Sequence, residues 1–123
     1  MIQQNRLTMA EAEIAVDAAL AEAARLGIGS VICVSDAAGY PIVIKRPDHG
    51  KVTSIMNMHG GRFAIFVGGW PIEVDGEVVG GIGVSGGHTP QDIACCKAGI
   101  TALLEHLGKP VDFSKWDDWK PPV

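Results

Sequence analysis

The chain has 123 residues, a length that suits one domain, and its 47% hydrophobic and 20% charged content excludes a disordered chain. A formal net charge of −4, with ten Lys and Arg and no basic run longer than Lys45-Arg46, argues against a nucleic-acid partner, because phosphate binding needs a clustered positive face. Three cysteines, an odd number, make no disulfide framework; with no apolar signal-peptide core and no apolar run near ~18 residues, the expected setting is cytoplasmic and membrane-free.

Thr8-Met9-Ala10-Glu11 fits a capping box and opens an alanine-rich helix that runs to Leu26. Met9, Ala12, Val16, Ala19, Leu20, Ala23 and Leu26 share one apolar face, Glu11, Glu22 and Arg25 lie opposite, and Gly27 stops the helix. Ser30 to Ser35 is short, apolar and β-branched, hence a strand. Asp36-Ala37-Ala38-Gly39 is a turn, and Tyr40 to Lys45 is the returning strand, with Pro41 confined to its start or to a sheet edge. Arg46 to Gly50 is a loop, and Lys51 to Gly61 is the least readable segment; as a short helix it would put Val52, Ile55, Met56 and His59 on one face. Arg62 to Val67 is a further strand. Trp70 to Val74 and Glu77 to Val84 flank Asp75-Gly76, the pair that a type I′ hairpin turn favours.

The last helix has Thr89 as its predicted N-cap, Pro90 at N1 and Asp92 at N3, near the positive end of the dipole. Ile93, Cys96, Ile100, Leu103, Leu104 and Leu107 form its core stripe, and Cys95, Gly99 and Ala102 form a second stripe of small residues that lets another backbone approach. Gly108 ends it, and the tail carries Phe113, Trp116, Trp119 and Pro121-Pro122. Helices at both ends and hairpin-length connections between them give an α+β domain, an antiparallel sheet of about five strands flanked by an N-terminal and a C-terminal helix. The domain is expected over residues 1–108, with the tail 109–123 packing on it or on a partner subunit.

Several of these segments together resemble the GlcG/HbpS-like family of haem-degrading or haem-binding domains. They are Leu7-Thr8 before the alanine-rich helix, Val34 to Gly39, Gly68-Gly69-Trp70-Pro71-Ile72, and above all Val78 to Gly87 with Gln91-Asp92. The same module is similar to the C-terminal domain of PduO-type cobalamin adenosyltransferases. The likeness runs over about residues 6–108. It implies a profilin-like α/β/α arrangement, oligomers built from dimers, and haem as a ligand. Relatives usually carry an Ala- and Lys-rich helix between the second and third strands; here only Lys51 to Gly61 stands in its place.

No GxSxG, HExxH, Walker or CxxC motif is present. Gly80-Gly81-Ile82-Gly83 lies inside a strand and reads as close packing, not as a dinucleotide loop. Ser85-Gly86-Gly87-His88-Thr89 leads from a strand into a helix N-terminus, whose free amides suit a carboxylate or a haem propionate; Thr89 and Asp92 could equally satisfy them. Of four histidines, His59 and His88 adjoin glycine-rich turns and are the candidate haem ligands, with His59 also the candidate acid/base. His49 sits in a loop beside Asp48, and His106 complements a helix dipole. No histidine precedes His49, so the first helix holds no imidazole ligand. Arg46 and Arg62 could grip a carboxylate bidentately. Cys95 and Cys96 read as small helix residues, and Trp70, Trp116 and Trp119 as interface anchors or pocket walls.

Three readings follow. The first is a non-enzymatic, homo-oligomeric binding protein whose ligand is haem or another carboxylate-bearing small molecule, held by Arg46, His59, Ser85, Gly86, Gly87 and His88. The second is a small enzyme or accessory subunit of organic-acid catabolism, with His59 as acid/base and Arg46 and the Ser85–Gly87 turn on the substrate carboxylate. The third is a structural assembly module whose interface is the Cys95, Gly99 and Ala102 stripe with the tryptophan tail.

Overall fold

The computed structural model describes residues 1, 3–47 and 69–114. Helix α1 spans Met9–Arg25, strands β1 and β2 span Val31–Asp36 and Pro41–Lys45, β3 and β4 span Gly69–Val74 and Glu77–Ser85, and helix α2 spans Thr89–His106. The local chemistry behaves as the residues dictate. The Thr8 N–H donates to Glu11 Oε1 at 2.8 Å and the Glu11 N–H to Thr8 Oγ1 at 3.1 Å, so both halves of the capping box form. Asp36 Oδ1 accepts from the Ala38 and Tyr40 amides at 2.9 and 3.0 Å and folds the β1–β2 turn. Asp75 and Gly76 take φ of 52° and 79°, the left-handed pair that the β3–β4 hairpin requires.

The described strands form one four-stranded antiparallel sheet in the order β2-β1-β4-β3. The expected strand at Arg62 to Val67 lies outside the described residues, as does the segment Lys51 to Gly61. Pro41 and Pro71 both fall on the outer strands of the described sheet, where a missing N–H is tolerated. Helix α1 packs over β1 and β2, α2 packs over β4 and β3, and the helices touch each other, so both lie on the same sheet face. A second layer on the opposite face, which an α/β/α arrangement implies, is not found among the described residues.

The core lies between these layers. Ile32, Val34, Ile72, Ile82 and Val84 face Val16, Ile100 and Leu103, all at most 3% exposed. Each such Ile, Leu or Val contributes about 1.5–3 kcal/mol through burial. The alanines of α1 contribute less area and instead allow closeness. Ala12, Ala15 and Ala19 are fully buried, and a Cβ at Gly99 would stand 2.7 Å from both the Ala15 carbonyl oxygen and Ile82 Cδ1. The backbone that the small stripe of α2 admits is therefore α1 of the same chain. Two sequence expectations change on the helix surfaces. Met9 is 67% exposed and leaves the apolar face to Ala12 and Ala15, and Ile93 is half-buried outside the core while Asp92 beside it is buried.

Alanine is a better helix former than glycine by about 1 kcal/mol. At Gly99 that gain meets a backbone oxygen that cannot step aside, and overpacking of this kind costs about 1–3 kcal/mol. We expect Gly99→Ala to lower the urea midpoint and Gly99→Val to lower it further. A Gly99→Ala variant more stable than the wild type would contradict the close helix crossing.

Candidate functional site

Strand register decides which ends of the sheet meet. β1 pairs Ile32 with Lys45 of β2 and Val31 with Ser85 of β4. The start of β1 thus lies between the ends of β2 and β4. Neighbouring strands stand about 4.8 Å apart, so the exits of β2 and β4 are about 10 Å from each other. Arg46 and the Ser85-Gly86-Gly87-His88 turn, far apart in sequence, come to one sheet end. The C-terminus of α1 and the N-terminus of α2 are there too. His106, exposed in the last turn of α2, lies at the other end. His49 and His59 lie outside the described residues.

The turn is built by close approach. Gly86 has φ of 154°, and a Cβ there would meet the Gly29 carbonyl oxygen at 2.5 Å and Ser30 Cα at 2.7 Å. Ser30 is fully buried beside it, and its hydroxyl has no hydrogen-bond partner among the described residues. The first helical bond of α2 runs from the Asp92 N–H to the His88 carbonyl at 2.9 Å, which makes His88 the N-cap in place of Thr89 and puts Pro90 at N2. The chain's own side chains reach back over this cap. Gln91 Oε1 accepts from the His88 N–H at 2.9 Å, and Asp92 Oδ1 accepts from the Gly87 N–H at 3.0 Å. Two of the amides that could have gripped an anion are therefore engaged, one of them by Asp92 as the sequence allowed. His88 itself is exposed.

Beside the turn is an open pocket of about 690 Å³ between the C-terminal half of α1 and the end of β2. Leu20, Ala24 and Ile28 form one wall, Ile44 and Pro47 the other, and Arg46 is a charged group in its lining. Lys45 also lines it, but its ammonium is held at 2.7 Å by both Glu13 and Asp17 of α1. Hydrogen bonds to Asp17 and Glu13 push the Lys45 pKa up and keep it charged. Sequence reasoning named Arg46 and missed the aliphatic walls, because residues 20–28 and 44–47 meet only through the β1–β2 register and the packing of α1.

A second pocket, of about 290 Å³, lies at the other end of the sheet under Lys109 to Phe113. Lys109 Nζ bonds Asp75 Oδ2 at 2.7 Å, and the Lys97 ammonium stands 5.5 Å from the Phe113 ring centre. Glu73, Asp75, Asp112 and Lys109 are the charged groups of its lining. Trp116 and Trp119 lie outside the described residues.

The cysteines are not nucleophiles here. Cys33, Cys95 and Cys96 are buried and free, and burial pushes the Cys33 and Cys95 thiols up to about 11 and the Cys96 thiol higher still. Among the described residues no three His, Cys, Asp or Glu side chains cluster as a metal site. No helix among them is long and apolar enough to cross a membrane.

The family model described as haem-degrading protein HbpS-like matches residues 48–101. Among solved structures, HbpS superposes with a TM-score of 0.70 at 23% identity, over 84% of this chain and 94% of that one. This chain has the HbpS-like fold. Klebsiella pneumoniae protein ORFY, of family DUF336, gives 0.66 at 21% identity, over 83% of this chain and 94% of ORFY. The PduOC:haem complex gives 0.64 at 21% identity, over 80% and 95% of the two chains. No curated protein shows significant similarity to the sequence. The likeness to HbpS read from the glycine-rich strand and turn is thus met in both sequence model and fold, and that to PduO in the fold. The residues matched by the family model include β3, β4 and the α2 cap described above.

Burial raises the Asp92 carboxyl above its ordinary pKa, against the pull of the Gly87 N–H and of His88. A carboxyl with a higher pKa in the folded state binds more protons there, so its contribution to stability falls as pH rises through that interval. Asp92→Asn keeps an oxygen for the Gly87 N–H and removes the buried charge. We expect the variant to match or exceed the wild type in urea midpoint at pH 7, and the wild type to gain on it as Asp92 takes up a proton in acid. A wild type that loses ground to Asp92→Asn on acidification would contradict the buried cap.

Proposed function

We propose that this chain is a small-molecule binding protein of the HbpS-like type, and that its ligand is haem or another carboxylate-bearing molecule bound at the sheet end where β2 and β4 finish. One observation carries the reading: the register that sets Arg46, the Ser85–His88 turn and an aliphatic pocket beside one another. The family model is described as haem-degrading, and one structural relative is a haem complex. Their chemistry suits this end of the sheet. A porphyrin has a broad apolar plate and anionic propionates; the pocket offers aliphatic walls and a guanidinium. Haem bound there would supply an iron that accepts an axial ligand. His88 at the α2 cap and His59 of the connecting segment are the proposed imidazoles. Binding in the cytoplasm by a dimer-based homo-oligomer completes the proposal. The stripe that suggested a purely structural module packs on the chain's own α1 at Gly99.

Titration with haem tests this. At micromolar haem we expect a saturable Soret shift, and one of the variants His59→Ala and His88→Ala should lose the spectrum of the ligated iron. No spectral change on titration would remove the haem reading.

A further inference from the structure

Resting on that reading, we infer that the α1–β2 pocket, not the amides of the Ser85–His88 turn, receives the ligand, and that it recognises an amphipathic carboxylate through Arg46 and aliphatic walls without needing a metal. Three observations meet here. The turn has already committed two of its donors, the Gly87 and His88 amides, to Asp92 and Gln91. A guest carboxylate would have to displace a charge-assisted bond that the chain makes to itself, and such bonds are about twice as strong as neutral ones. The pocket's volume of about 690 Å³ falls within the range of small-molecule sites, roughly 300–1,000 Å³. Finally, the lining holds a group that recognises carboxylates. Lys45 is committed to Glu13 and Asp17, and Arg46, one residue on, brings a five-donor planar fork that can hold a carboxylate alongside the partner it already has.

The walls set the class of ligand. Leu20 and Ile28 approach from the helix side and Ile44 from the edge strand, with Ile44 38% exposed and available to a guest. An apolar body lying between them with one anionic end at Arg46 satisfies both halves of the site. Small hydrophilic acids would satisfy only the second half. The pocket at the other end of the sheet is smaller, about 290 Å³, and the lysine in its lining, Lys109, is already paired with Asp75.

Metal-free protoporphyrin IX is the probe, read by its fluorescence, with haem and the uncharged dimethyl ester of the porphyrin beside it. Ala24 is exposed on the pocket wall, so Ala24→Trp fills the space without touching the core; Arg46→Glu is likewise a surface change. Lys109→Glu alters the net charge equally at the opposite end of the sheet. We expect the wild type to bind protoporphyrin IX and haem with similar affinity. Ala24→Trp and Arg46→Glu should each weaken protoporphyrin binding by about tenfold or more, the loss of one charged hydrogen bond or of the contact wall. Lys109→Glu should leave it unchanged, and the dimethyl ester should bind at least about tenfold more weakly. Haem binding that persists while protoporphyrin fails to bind, or pocket variants that bind both as well as the wild type, overturns the inference and leaves the haem reading standing. Failure of haem and porphyrin alike overturns both.

Discussion

Strand β1 exchanges backbone hydrogen bonds with β2 on one side and β4 on the other, and both partners run against it. Its first residues therefore stand beside the last residues of each. From this follow the nearness of Arg46 to the Ser85–His88 turn, the common location of the α1 C-terminus and the α2 N-terminus, and the pocket between α1 and β2. A strand register is hard to shift, because moving it by one residue would turn Ile32 and Val34 away from the helices and put Val31 and Cys33, buried on the other face, against them. The site inherits its geometry from the part of the molecule least able to move.

The two helices are held against that sheet by fit more than by area. Gly99 lets α2 sit directly on the Ala15 backbone, and Lys45 ties the other side of α1 to β2 through Glu13 and Asp17. The latter groups are largely solvent-exposed, so the pair of bridges adds little to stability and serves to place the helix over the strand end. Placement matters to function because α1 is one wall of the pocket.

Much of this architecture was legible where a single residue type has a single structural use. Thr8 with Glu11, Asp36 with Gly39, and Asp75-Gly76 each announced the cap or turn they form. The cap of α2 was displaced by one residue because Gln91 and Asp92, both able to reach backward, fix His88 and Gly87 in place of a Thr89 cap. The small stripe of Cys95 and Gly99 was read correctly as a place of close approach, but a sequence does not say which backbone approaches. The pocket was out of reach for the same reason: Ile28 and Ile44 are far from alike in sequence context and meet only in the fold. Arg46 was visible as a candidate through its charge, whereas its aliphatic neighbours looked like ordinary core. His59, the tryptophans of the tail and the Arg62 to Val67 strand lie outside the described residues.

The claim that one sheet end is the binding end is tested most directly by backbone amide NMR of the labelled protein during addition of protoporphyrin IX. The account requires shifts concentrated at Gly27, Ile28 and Ile44 to Arg46, with the Asp75-Gly76 hairpin silent. Shifts gathered at that hairpin and at Lys109 to Phe113, with the first group unmoved, would contradict it.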